Sequence, residues 1–213
     1  MDEWAIGKVR AILTISVTFT HYLYRHDRFF SFYNSSCLSR RMRLSNHGSE
    51  KWLLIGSFIR ISIQNQQLEL VEEGQVLRSY SVSTAKNGAG EQNGSGKTPR
   101  GEHIVRAKIG DGQPLNSVFV GRRPTGEIYS SALAEAFPNR DWILTRILWL
   151  SGCEPGKNRL GDRDSMRRYI YIHGTPDTEP MGEPLSHGCV RMRNHDVIDL
   201  FDLISPGIRV VIT

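Results

Sequence analysis

Phe58-Ile59-Arg60-Ile61-Ser62-Ile63 places isoleucine at every second position, and this period predicts a β-strand with Ile59, Ile61 and Ile63 on one buried face. The polar run Gln64 to Gln67 breaks the pattern and Leu68 to Val71 resumes it, so a hairpin is expected. Glu72-Glu73-Gly74-Gln75 is a second turn that leads into Val76 to Val82. After a glycine-rich loop, Ala85 to Gly96, and the tetrapeptide Thr98-Pro99-Arg100-Gly101, more strands are expected. They are His103 to Ala107, Ser117 to Val120, Trp142 to Leu150 and Tyr169 to His173. The period then changes: Val197, Ile198, Phe201 and Ile204 fall at helical spacing. Asn194 is the expected cap, Asp196 and Asp199 lie early, and Pro206-Gly207 is the stop. Ile208 to Ile212 returns as a last strand. Many short strands, one or two short helices and no internal repeat predict a mostly β domain, a sandwich or a barrel.

With 213 residues, 39% hydrophobic and 23% charged, the chain suits one globular core with a tail. This composition excludes disorder or a multi-span membrane protein for its bulk. Residues 1–50 are expected to be an extension, rich in aromatics and arginines from Tyr22 to Tyr33, and the folded domain is expected over 51–213. Met42, just ahead of the patterned region, offers an alternative start for a shorter protein. The run Ala11 to Phe19 behind Lys8 and Arg10 faintly resembles an export signal. Asp2 and Glu3 oppose its positive start, no small-x-small cleavage site follows, and it is too short to span a bilayer. The net charge of +5 gathers at Arg25, Arg28, Arg40, Arg41 and Arg43 and again at Arg159, Arg163, Arg167 and Arg168. Without a nucleic-acid motif these clusters read as solvated basic surface, and no nucleic-acid partner is expected. Cys37, Cys153 and Cys189 are an odd count, so at least one thiol has no partner within the chain. A Cys37 to Cys153 bridge stays open at this level.

Chemistry concentrates at Ser186-His187-Gly188-Cys189-Val190-Arg191-Met192, with His173 upstream at the end of Tyr169-Ile170-Tyr171-Ile172. A thiol attacks a carbonyl as thiolate, and a free cysteine is ionised only slightly at neutral pH, so it needs a base. Both histidines qualify. In an extended backbone His187 and Cys189 share a face. His173 sits on a strand end, which holds a base more rigidly, while the loop Gly174 to Leu185 returns the chain to it. Gly188 permits unusual dihedrals, and the amides of Gly188 and Cys189 are candidate oxyanion donors. Arg191 shares the face of Cys189 and has the forked geometry that pairs with a substrate carboxylate; the bland reading is an ion pair with a nearby acid. Taken singly, each of these residues is more often structural than catalytic, and it is their combination that points to acyl transfer. A zinc site from His173, His187 and Cys189 matches no common spacing.

Ser186-His187-Gly188-Cys189-Val190-Arg191-Met192, preceded by His173-Gly174-Thr175 and followed by Asn194, resembles the signature of the L,D-transpeptidase catalytic domain, also called the YkuD domain. Thr98-Pro99-Arg100-Gly101, Arg146 to Leu150 and Leu200 to Ile212 resemble the same family, so the likeness runs from about Ile59 to Thr213. It implies a β-rich fold with Cys189 as nucleophile, His173 as general base and His187 and Gly188 shaping the site. Ser186, Gly174, Thr175 and Arg191 are then expected on the substrate-binding side. It further implies attack on a peptidoglycan stem peptide after its third residue, loss of the terminal D-alanine and a thioester. An amine on a neighbouring stem, or in some members a lipoprotein lysine, resolves the thioester. The resemblance implies a cell envelope or periplasmic location, no metal or organic cofactor and no obligate protein partner. Alternatives are an L,D-carboxypeptidase or endopeptidase using water, and a non-catalytic wall-binding module. Gly174 stands where some members have serine, which leaves the group orienting His173 open, a backbone carbonyl being one option. No wall-binding domain is visible. Gly152 to Arg168 is a hypothetical gating loop, its plain alternative a surface connection.

Overall fold

The computed structural model of the chain describes residues 41–46, 49–54 and 56–213. The run Ala11 to Phe19 and the Cys37 end of the candidate bridge lie outside them. Strands β1 (Arg41–Asn46) and β2 (Ser49–Leu54) form an antiparallel hairpin that straddles the expected boundary at residue 50. The body consists of β3 (Phe58–Ser62), β4 (Gln67–Glu72), β5 (Gln75–Ser81), β6 (Gly101–Ile109), β7 (Ser117–Val120), β8 (Arg123–Ile128), α1 (Ser131–Ala136), β9 (Ile143–Gly152), β10 (Tyr171–Gly174), β11 (Val190–Met192), α2 (Asn194–Leu203) and β12 (Arg209–Ile212). The mixed sheet runs β11-β10-β9-β6-β12-β3-β4-β5, with β7 alongside β9 and β8 alongside β7. Two pairs are parallel, β10 with β11 and β12 with β3.

The two ends of this path meet. Just past β5, Ser83 exchanges both backbone hydrogen bonds with Arg191 of β11, each 2.9 Å. The Ser186 amide then bonds the Thr84 carbonyl, and the Lys86 amide bonds the Ser186 carbonyl. The sheet therefore closes on itself like a barrel, and the cysteine loop lies along the seam. Ile59, Ile61, Leu68, Leu70, Leu148, Leu150, Ile172, Val190, Met192 and Val210 turn inward to one core. Burial of such side chains stabilises by roughly 1.5–3 kcal/mol each before entropy is counted.

Helix α2 covers this core with Val197, Leu200 and Phe201, and Ile204 follows at its end. Asn194 is not its cap. Arg193 holds that position without a side-chain bond, and Asn194 is the first helical residue. Its fully buried amide donates to the Thr175 carbonyl at 2.8 Å and its Oδ1 accepts from Thr145 Oγ1, so the side chain serves the sheet rather than the helix end. Strands β8 and β11 and helix α1 were not expected. β8 is almost wholly exposed and has no apolar alternation, β11 is three residues long, and α1 buries no residue.

The segment from Gly152 to Arg168 is strapped down instead of poised as a gate. Asn158, fully buried, donates to the carbonyls of Arg100 (3.0 Å) and Glu102 (3.1 Å), and its Oδ1 accepts from the Glu154 amide. Asp164 accepts from the amides of Leu160, Met166 and Arg167. His103, buried beneath, contacts Ser165 Oγ through Nε2 at 2.9 Å. The segment is a hydrogen-bonded connection across the end of β6.

Candidate active site

Strand alternation sorts the residues of β9, β10 and β11 between two faces. Leu148, Leu150, Ile172, Val190 and Met192 enter the main core, whereas Ile147, Trp149, Tyr171 and Cys189 belong to a second apolar cluster with Phe119 on the other side. In the parallel register His173 stands opposite Arg191. One face therefore carries Tyr171 and His173 on β10, with Cys189 and Arg191 beside them. That face is the wall of a cleft of about 470 Å³, completed by Gly121, Arg122, Asp141, Ile143, Tyr169, Ser186 and His187. The structure brings His173, Cys189 and Arg191, singled out in the sequence, to one cleft. Tyr171, two residues before His173, was legible by the same alternation; Arg122 and Asp141 come from distant segments and carried no local signal.

Cys189 is a free thiol. Its Sγ accepts from the Tyr171 amide at 3.4 Å and donates towards the Tyr169 carbonyl at 3.5 Å. Burial pushes the thiol up to about 11, with the Tyr171 amide and the charges of Arg191 and Arg168 opposing the shift and Asp141 adding to it. Tyr169 adopts a left-handed backbone (φ 56°), costing about 1–2 kcal/mol for an L-residue, and so aims its carbonyl at the sulfur.

His173 is 2% exposed, whereas His187 is exposed. The Nδ1 of His173 lies 2.8 Å from the Gly174 carbonyl, which can only accept. Nδ1 therefore carries the proton, and Nε2 is the basic nitrogen. A backbone carbonyl fills the orienting role that the missing serine left open. Burial lowers the His173 pKa below the usual 6.5, which favours the neutral ring.

Gly174 and Thr175 do not line the cleft; both are buried behind His173. A Cβ on Gly174 would lie 2.5 Å from Asn194 Oδ1 and 2.7 Å from the Leu144 carbonyl, so a serine does not fit there with Asn194 in place. Residues 187–189 are bends, not extended strand, and Gly188 has a φ of +136° that L-residues rarely adopt. Ser186 Oγ accepts the Gly188 amide at 3.2 Å and donates to the Cys189 carbonyl at 2.6 Å, while Thr98 Oγ1 donates to the Gly188 carbonyl. The Gly188 amide is thus engaged inside the loop, and Ser186 braces the turn. Arg191 pairs with Asp141 (3.1 Å) and Glu179 (3.4 Å), the bland alternative foreseen for it.

The profile of the L,D-transpeptidase catalytic domain (YkuD) matches residues 56–212. YqjB of Bacillus subtilis, which bears an L,D-transpeptidase name, is 50% identical over 156 residues, covering 73% of this chain and 70% of that protein. The similarly named YkuD of Bacillus licheniformis is 24% identical over 156 residues, and the chain spans only 64% of its length. Among solved structures, an L,D-transpeptidase from Mycobacterium smegmatis aligns with a TM-score of 0.46 at 18% identity, covering 82% of this chain and 67% of that one. The length of the profile match and the identity to YqjB together show that this chain belongs to the L,D-transpeptidase catalytic domain family.

Proposed function

We propose that the chain is a cysteine L,D-transpeptidase acting on peptidoglycan stem peptides in the cell envelope, through a thioester on Cys189. The observation that carries this reading is the free Cys189 thiol on one cleft wall with a buried His173 whose Nδ1–H is fixed on the Gly174 carbonyl.

The chemistry follows from the resting protonation states. With the thiol raised and the imidazole lowered, both groups are neutral at pH 7, so no preformed ion pair exists. His173 Nε2 takes the thiol proton as sulfur attacks the carbonyl after the third stem residue. Electrons move onto the carbonyl oxygen, which faces the Cys189 amide; collapse breaks the C–N bond, and Nε2 returns its proton to the departing D-alanine nitrogen. The acceptor amine then loses a proton to Nε2, attacks the thioester and releases the thiol. Gly174, Thr175 and Asn194 keep His173 in place, and Ser186 and Thr98 hold the Gly188 bend that presents Cys189.

The test is intact-protein mass spectrometry with a tetrapeptide donor. A Cys189 adduct equal to the donor minus alanine, resolved by an added stem amine to a crosslinked product, is expected. His173→Ala should slow acylation about 10²–10⁴-fold, far more than His187→Ala. No adduct on Cys189, together with full cellular function of Cys189→Ala, would leave only the wall-binding module; a tripeptide without crosslink would mean water is the acceptor.

A further inference from the structure

Two arginines, Arg122 and Arg191, line the cleft and the charge of a third, Arg168, reaches Cys189; they differ in what engages them. Arg191 is neutralised by Asp141 and Glu179. Arg168 spends its guanidinium on the carbonyls of Gly90, Glu91 and Lys97, which fixes the glycine-rich loop. Arg122 has neither kind of partner. Among the described residues its only hydrogen bond is Nη1 to Tyr171 Oη at 2.9 Å, and it forms no ion pair. Its guanidinium lies 4.3 Å from the Trp149 ring centroid and 5.1 Å from that of Tyr169. Stacking holds a guanidinium by its flat faces and leaves the in-plane N–H donors at its edge available.

The backbone points the same way. Gly121 (φ 55°) and Arg122 (φ 66°) form the two-residue tip between β7 and β8, where Val120 pairs with Arg123. Positive φ at both positions is the primed hairpin turn that favours asparagine and glycine, so a long side chain at the second position is strained. Trp149, which receives it, is itself pinned by its indole N–H on the Met166 carbonyl (3.2 Å) and packs edge-on against Tyr171. A strained residue, stacked on a fixed indole and lining the cleft with donors to spare, is a preorganised carboxylate receptor.

We propose that Arg122, and not Arg191, binds the terminal carboxylate of the residue that leaves the donor stem. This rests on the transpeptidase reading above. In such a donor the carboxylate lies two bonds beyond the scissile nitrogen, so a cation on the wall beside Tyr171 and Tyr169 meets it while Cys189 meets the carbonyl. Arg122 thereby selects donors with a free carboxyl end and positions the amide for attack.

The experiment measures kcat/KM for acylation with two donors that differ only in a terminal carboxylate or a terminal carboxamide. The wild-type protein is expected to prefer the acid by roughly 10–100-fold, the worth of a hydrogen-bonded charge. Arg122→Gln should reduce turnover of the acid donor by that factor and leave the amide donor within about threefold, erasing the preference. Arg122→Asn, which suits the left-handed turn, should give the same result and so separates the side chain from the backbone. An unchanged acid-to-amide ratio in both variants, or no preference in the wild type, overturns the proposal. If the wild type acylates with neither donor, the transpeptidase reading itself fails.

Discussion

At the half-buried Cys189 and the buried His173 two groups are shifted in opposite directions by one cause, the loss of water around their charged forms. A thiol raised to about 11 from its ordinary 9.0 remains protonated across the neutral range. Alkylation of Cys189 by iodoacetamide should therefore quicken about tenfold per pH unit towards pH 11, since only the thiolate reacts. A plateau near pH 7 would reveal a thiolate–imidazolium pair and contradict the neutral resting state. On the proposed mechanism, acylation of substrate should behave differently, because there His173 supplies the base. A lowered histidine pKa keeps Nε2 unprotonated down through pH 6.5, so the acid limb of kcat/KM should fall below the ordinary histidine range.

At the scale of elements, the strap between β9 and β10 depends on Asn158. Asn158→Ala would leave the Arg100 and Glu102 carbonyls and the Glu154 amide without this partner, a loss of about 2–4 kcal/mol. The expected result is faster tryptic cleavage at the exposed Lys157, Arg163 and Arg167, followed by mass spectrometry. Equal cleavage rates would show that the strap is held elsewhere. This segment also marks the limit of sequence reading. Its polarity and glycines suggest a loose loop, because a hydrogen-bonded tie between Asn158 and backbone carbonyls 56–58 residues away leaves no period in the chain. Strands β3, β4, β9 and β10 were legible because their burial writes an alternation or an apolar run. His173 was legible because it ends the apolar run of β10, and Cys189 because a cysteine between glycine and a hydrophobic residue with two histidines nearby is an unusual combination of residue types. Asn194 misled because a helix cap and a buried bridging amide use the same residue type. Arg122 and Asp141 were invisible because only the pairing of β7 with β9 and the ion pair to Arg191 bring them to the cleft.

For the whole molecule, three buried groups and the half-buried Cys189 contribute to a pH window of stability. His103, pushed down to about 4, and His173, also lowered, stay neutral in the fold while the unfolded chain takes up protons below pH 6.5. Their contribution is complete above 6.5 and is lost as pH falls, on the order of 3 kcal/mol for His103 alone between 6.5 and 4. Cys189 and Tyr80 are shifted upward, Tyr80 chiefly by burial and by its 2.6 Å bond to Asp199. The unfolded chain releases these protons first, near 9.0 and 10.0, so stability also declines as pH rises beyond about 9. Urea denaturation should give a plateau between about pH 6.5 and 9, and Tyr80→Phe should flatten the alkaline slope; a maximum below pH 6 would refute the assignment. The backbone pair between Ser83 and Arg191, meanwhile, does two jobs at one place. It shuts the sheet, and it seats the strand that begins immediately after Cys189. A thiol carried on the seam of the sheet shares the fate of that seam, so heating should expose Cys189 to alkylation in step with the loss of strand signal.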